Sequence, residues 1–222
     1  MEQSAYINQP AHRQQGFGEE ISNAISHGVG AILAIVATIL MLLRAVQSGS
    51  GLAIISAALY GGSMILLYLS SCMYHSITAP KGKQIFQIFD HCSIFLLILG
   101  TYIPISLLIL GGGLGWTLFG INAGCALVGI ILNAVDLARF KKLSMILYAA
   151  MGWMVVLTIK PVLEAIPMQG VLLLLLGGLA YTIGIFFYKK REVRYMHFIW
   201  HLFVLAGSTL HFFMIYLYCF HM

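Results

Sequence analysis

Residues 22–45 read SNAISHGVGAILAIVATILMLLRA, and no charge interrupts them between Gly28 and Leu43. As a helix the stretch extends roughly 36 Å, enough to cross a hydrocarbon core of about 30 Å. A barrel strand would be about 10 residues long and would alternate apolar with polar positions, which this run does not. The same pattern recurs outward along the chain, over Leu52–Ser76, Ile85–Leu110, Leu114–Val135, Leu143–Val162, Gln169–Tyr188 and Tyr195–Phe220. Loop punctuation falls between the runs at Gly49 and Gly51, Pro80 and Gly82, Gly111–Gly113, and Pro167. The sequence therefore predicts an all-α integral membrane protein, a bundle of seven transmembrane helices. Residues 1–20 form a polar cytoplasmic segment, and 21–222 a single transmembrane domain. The polar segment has no apolar core of a signal peptide, so the first helix is expected to act as an uncleaved insertion signal.

Composition excludes the main rivals. Of 222 residues 60% are apolar and only 9% charged, against about 25% charged in an average soluble protein. Such a chain cannot cover a water-facing surface, and it is far too apolar to be disordered. The net charge of +5 comes from basic residues scattered along the chain, a pattern that argues against nucleic-acid binding.

Those basic residues orient the bundle. With the N-terminus inside, the inner segments hold Arg13, Lys81, Lys83, Arg139, Lys141, Lys142, Lys189, Lys190, Arg191 and Arg194. The outer segments hold only Arg44 and Lys160. Ten of twelve on one side predicts a cytoplasmic N-terminus and an external C-terminus. The four cysteines, Cys72, Cys92, Cys125 and Cys219, form no CxxC pair and read as packing residues.

Ionisable side chains at membrane depth are costly, and each is a functional candidate. His75 ends the second span, Asp90 and His91 begin the third, and His197 and His201 occupy the first turns of the seventh. Three segments remote in sequence thus carry five titratable groups at one depth, toward the cytoplasm. Ser71-x-x-x-His75 puts hydroxyl and imidazole on one helix face, and Tyr68 extends the stripe. His197-x-x-x-His201 does the same for two imidazoles, which at that spacing reach one metal ion. A third histidine completes three ligands with one open position, the form of a catalytic zinc site. Asp90 can bond or orient a water there as a base, and Ser71 can stabilise charge on a substrate oxygen. His211 lies too far along the seventh helix to share that ion, and lines a cavity or bonds another helix. His27, near the same face, is either a cavity residue or a helix–helix contact. Asp136 can pair with Arg139, three positions on. Pro104 should kink the third span.

At these residues the chain resembles a known family. The ordered set Glu20-Ile21-Ser22-Asn23 with Ser26-His27, Ser71-x-x-x-His75, Asp90-His91 with Gly100-Thr101-Tyr102, Met151-Gly152-Trp153, and His197-x-x-x-His201-Leu202-Phe203 is similar to bacterial hemolysin III. That family is the bacterial branch of the progestin and adipoQ receptors. The resemblance implies a seven-helix bundle in the bacterial cytoplasmic membrane and a zinc ion held by His75, His197 and His201. It also implies that Asp90 contacts the zinc through water, and that Ser71 is the family serine. The wider superfamily includes ceramidases, which cleave lipid amides.

The function expected is a zinc-dependent site acting on amides or esters of a membrane lipid, the only partner that the sequence suggests. The alternative is a sensor of membrane lipid state with zinc as a structural clamp. A transporter or channel ranks third, because the ionisable groups crowd one half of the bundle. Oligomeric state and the identity of the lipid are not legible in the sequence.

Overall fold

The computed structural model describes residues 13–190 and 192–220. Residues 1–12 of the expected polar segment, Arg191 of the inner basic set and Met222 lie outside the described residues. The elements are α1 Phe17–Gln47, α2 Gly51–Ser76, α3 Pro80–Pro104, a π-helical turn Ile105–Leu110, α4 Gly112–Trp153, a 3-10 turn Met154–Thr158, α5 Ile159–Ala165, α6 Met168–Lys189 and α7 Met196–Tyr218. Helix α1 starts ahead of Ser22 because Glu19 caps it reciprocally. The Glu19 carboxylate accepts from the Gly16 amide at 2.9 Å, and the Glu19 amide donates back to the Gly16 carbonyl.

Among the described residues six helical stretches are long and apolar enough to cross a membrane: Phe17–Gln47, Gly51–Ser76, Pro80–Leu110, Gly112–Ala165, Met168–Lys189 and Met196–Tyr218. The chain is a multi-pass membrane protein. The stretch Gly112–Ala165 has 54 residues and holds two of the segments expected from sequence, Leu114–Val135 and Leu143–Val162. A straight helix of that length would extend about 80 Å. It is not straight, because Asp136 leaves the helical conformation at φ −158°, ψ 91°.

Hydrogen bonds show that the chain folds back there. Ser144 donates to Asn133 at 2.6 Å, Asn133 donates to the Tyr148 hydroxyl at 3.2 Å, and Asn122 donates to the Met151 carbonyl at 3.5 Å. On an unbroken helix these pairs would lie roughly 17–44 Å apart. Helix α4 is thus two antiparallel limbs. The Asp136 carboxylate accepts from the Arg139 backbone amide at 2.9 Å, starting the second limb. That replaces the side-chain ion pair expected from the i,i+3 spacing.

The polarity of the bundle is inverted relative to a soluble protein. Helix α1 exposes Ile32, Leu33, Val36, Ile39 and Leu43 while it buries Asn23, Ser26 and His27. Helix α4 exposes Ile121, Leu127, Val128 and Val135 while it buries Asn122, Asn133 and Ser144. Apolar side chains outward and polar ones inward is the arrangement that a lipid solvent favours. Around the bundle α1 packs on α2 and α7, α2 on α3, α3 on α4 and α6 on α7, whereas α4 and α6 meet lightly.

Two irregular turns have identifiable causes. Pro104 cannot donate to the helical ladder, and the chain continues as the π-helical turn Ile105–Leu110. The Tyr102 hydroxyl donates to the Gly152 carbonyl at 3.0 Å and accepts from the Val155 amide at 2.8 Å. This side chain intercepts the ladder of the opposite helix, and the 3-10 turn Met154–Thr158 follows.

Candidate metal centre

The end of the bundle that carries the α1 N-terminus also carries the α2–α3 turn, the α4 reversal and the start of α7. Glu20 of α1 bonds both His75 of α2 and Lys83 of α3. Tyr148, on the second limb of α4, donates to the carbonyl of His91 at 2.7 Å. Glu19 accepts from the Tyr195 amide at 2.8 Å. Tyr195 sits at φ 61°, a left-handed conformation that a tyrosine rarely adopts. Glu19 holds this strained residue two positions before His197.

At that end the structure brings His75, His197 and His201 together. One ligand nitrogen from each lies within 4.8 Å of the others. The Nε2 atoms of His197 and His201 are 3.2 Å apart. Two imidazole nitrogens bound to one tetrahedral zinc at about 2.0–2.1 Å lie about 3.3 Å apart. The Nε2 atom of His75 is buried with no hydrogen-bond partner in the protein. An orphaned imidazole nitrogen beside two converging ones fits a metal ion and is costly without one.

A cavity of about 140 Å³ adjoins the cluster, with mostly apolar walls from α3, the second limb of α4, α6 and α7. Asp90, Ser71, His27, His91 and His211 line it together with His197 and His201. Asp90 lies on the cavity wall and is not among the groups whose ligand atoms cluster within 4.8 Å. The Ser71 hydroxyl is buried without a partner. His91 donates through Nδ1 to the carbonyl of Gln87 at 2.9 Å, so that nitrogen is committed to its own helix.

The remaining sequence candidates surround the site. His27 stacks on His201, and neither of its ring nitrogens has a hydrogen-bond partner in the protein. Tyr68 meets the edge of the His27 ring and bonds Ser208 of α7. His211 donates through Nε2 to the carbonyl of Leu174 at 3.1 Å, a helix–helix bond, and also reaches the cavity. Its ring fills the space over Gly177, where a Cβ would collide with it.

Glu20, Asn23 and Ser26 belong to the α1 motif, and the sequence pattern alone assigns them no role. Each touches a histidine of the cluster. Glu20 Oε2 lies 2.6 Å from His75 Nδ1, while Ser26 Oγ and the Asn23 carbonyl lie 3.1 and 3.3 Å from His201 Nδ1. The available signal was their three-residue spacing, which puts all three on one face of α1.

Fold and site define a class: an all-helical multi-pass membrane protein with three convergent imidazoles at one end of the bundle. Residues 15–212 match the family model described as Haemolysin-III related, and the chain belongs to that family. It is 46% identical to Hemolysin-3 of Bacillus cereus over 200 residues, which cover 90% of this chain and 91% of that protein. It is 44% identical to the Hemolysin-3 homolog of Bacillus subtilis (strain 168) over 201 residues, 90% and 94% of the two chains. A more distant similarity, 26% over 174 residues, links it to the Monocyte to macrophage differentiation factor of Homo sapiens, with 74% and 70% covered.

Proposed function

We propose that the chain crosses the bacterial cytoplasmic membrane seven times, N-terminus inside, and holds a zinc ion that serves hydrolysis of a lipid amide or ester. The seven crossings are supported by the reversal at Asp136, which turns the 54-residue stretch into two antiparallel passes. The orientation is supported by the basic residues. Lys83, Lys141 and Arg194 belong to the end that bears the histidines, and the cytoplasmic side attracts such residues.

The observation that carries the chemistry is the convergence of His75, His197 and His201 beside a cavity lined by Asp90 and Ser71. His75, His197 and His201 would hold the ion. When bound there, zinc supplies Lewis acidity, which polarises a carbonyl and acidifies water. Asp90, whose side chain is 13% exposed on the cavity wall, takes a proton from the water that adds to the carbonyl carbon. Ser71 donates its unpartnered hydroxyl to the oxygen on which charge develops. Asp90 then passes the proton to the leaving amine or alcohol as the carbonyl carbon–heteroatom bond breaks. The apolar walls suit an acyl chain, and the light contact between α4 and α6 leaves that flank open toward lipid.

The test is metal analysis of the purified protein, with mass-spectrometric turnover of a panel of lipid amides and esters in the presence and absence of chelator. Chelator-sensitive turnover is expected. Full metal with no turnover across the panel would replace hydrolysis with a zinc-clamped lipid sensor.

A further inference from the structure

We infer that α1, which contributes no ligand, fixes the nitrogen that two of the three histidines turn toward the ion, and that Glu20 is the positioning residue for His75. This rests on the metal reading above. An imidazole ligates through a bare nitrogen, so its hydrogen must sit on the other one. A carboxylate oxygen only accepts, so Glu20 Oε2 at 2.6 Å puts the hydrogen of His75 on Nδ1. The lone pair then belongs to Nε2, the buried atom without a partner.

His201 follows the same logic. The backbone carbonyl of Asn23, 3.3 Å from His201 Nδ1, only accepts. Ser26 spends its own hydrogen on that carbonyl at 2.8 Å, and so accepts from His201 Nδ1 at 3.1 Å. His201 Nε2 is thereby left to face the cluster.

Lys83 from α3 holds the second carboxylate oxygen of Glu20 at 3.0 Å, which fixes the carboxylate in place. Removing Glu20 would do more than loosen His75. The side-chain amide nitrogen of Asn23 lies 3.5 Å from the same His75 Nδ1 and only donates. It favours the opposite tautomer, with the hydrogen on Nε2 and the ligating lone pair lost. Partners of this kind typically change metal affinity by roughly 10–100-fold.

The test uses the full chain in detergent, with zinc affinity measured by competition against a chromogenic chelator and cobalt(II) as a spectroscopic probe. Glu20→Ala should bind zinc roughly 10–100-fold more weakly and shift the cobalt ligand-field bands. Glu20→Gln retains an oxygen that accepts from Nδ1, and should recover most of the affinity. This variant also keeps the experiment decisive if Glu20→Ala folds poorly. The melting temperature of the metal-free Glu20→Gln protein should match that of wild type. A wild-type protein that binds zinc with the same affinity and cobalt spectrum as both variants would overturn the role of Glu20 alone. A wild-type protein that binds neither metal would overturn the metal reading, and this inference with it.

Discussion

The imidazole of His27 lies flat on that of His201, with ring centroids 3.6 Å apart and planes 9° from parallel. A ring from the first helix thus braces a cluster histidine from the last. His27→Ala should destabilise the protein by roughly 1–3 kcal/mol through the lost stack and the space left behind. His27→Phe keeps a flat ring and should recover much of that loss. Thermal melting of the three proteins in one detergent checks this, and equal melting temperatures would show that the stack carries no weight.

Zinc removal should lower stability, because an ion held by His75, His197 and His201 would tie α2 to α7. At a free zinc concentration one hundred times Kd, binding adds about 2.7 kcal/mol, or roughly 5–10 °C for a chain of this size. A strong chelator should remove that increment from wild type and leave a His197→Ala, His201→Ala double variant unaffected. Full metal occupancy in the double variant would refute the ligand assignment.

Asp90→Asn separates chemistry from ligation. Asparagine keeps the shape but cannot take the proton, so metal and melting temperature should persist while turnover stops. Loss of metal in this variant would instead make Asp90 a direct ligand. Ser71→Ala should lower the rate by a factor that corresponds to roughly 3 kcal/mol of barrier, with metal content unchanged.

Reporter fusions at Met1 and Met222 should report opposite sides of the membrane, inside and outside. A cysteine introduced as Lys141→Cys, beside the α4 reversal, should label from the cytoplasm. Both termini on one side would sink the seven-crossing reading.

Neighbouring glycines of α6 should respond differently to a methyl group. At Gly177 a Cβ collides with the His211 ring, whereas at Gly178 the nearest atom is a Trp153 ring carbon 3.9 Å away. Gly177→Ala should cost roughly 1–3 kcal/mol and Gly178→Ala close to nothing. Melting temperatures decide it, and similar values for the two would mean that α6 and α7 separate easily.

The parts of this architecture legible in the sequence are those governed by local periodicity and solvent preference. Apolar run length located the helices, and the i,i+4 spacing of His197 and His201 put two imidazoles on one face. Depth along the spans brought His75 to the same end. The contacts that dress the cluster were not legible. Glu20 meets His75 across 55 positions and Ser26 meets His201 across 175, and no local pattern encodes such a meeting. Pro104 announced a kink but not its π-helical form. The interruption at Met154–Thr158 has no breaker of its own, since its cause is the Tyr102 hydroxyl arriving from α3.

The three clustered imidazoles come from the second and the last of the long helices, and this sets a clock on biosynthesis. About 120 residues separate His75 from His197. At roughly 5–20 residues per second, the ribosome delivers the second histidine of the cluster some 6–25 s after the first. A nascent chain that stalls anywhere in that interval owns a single imidazole of the cluster, too little to retain an ion there. An ion held by all three imidazoles would thus be captured only after α7 has been synthesised.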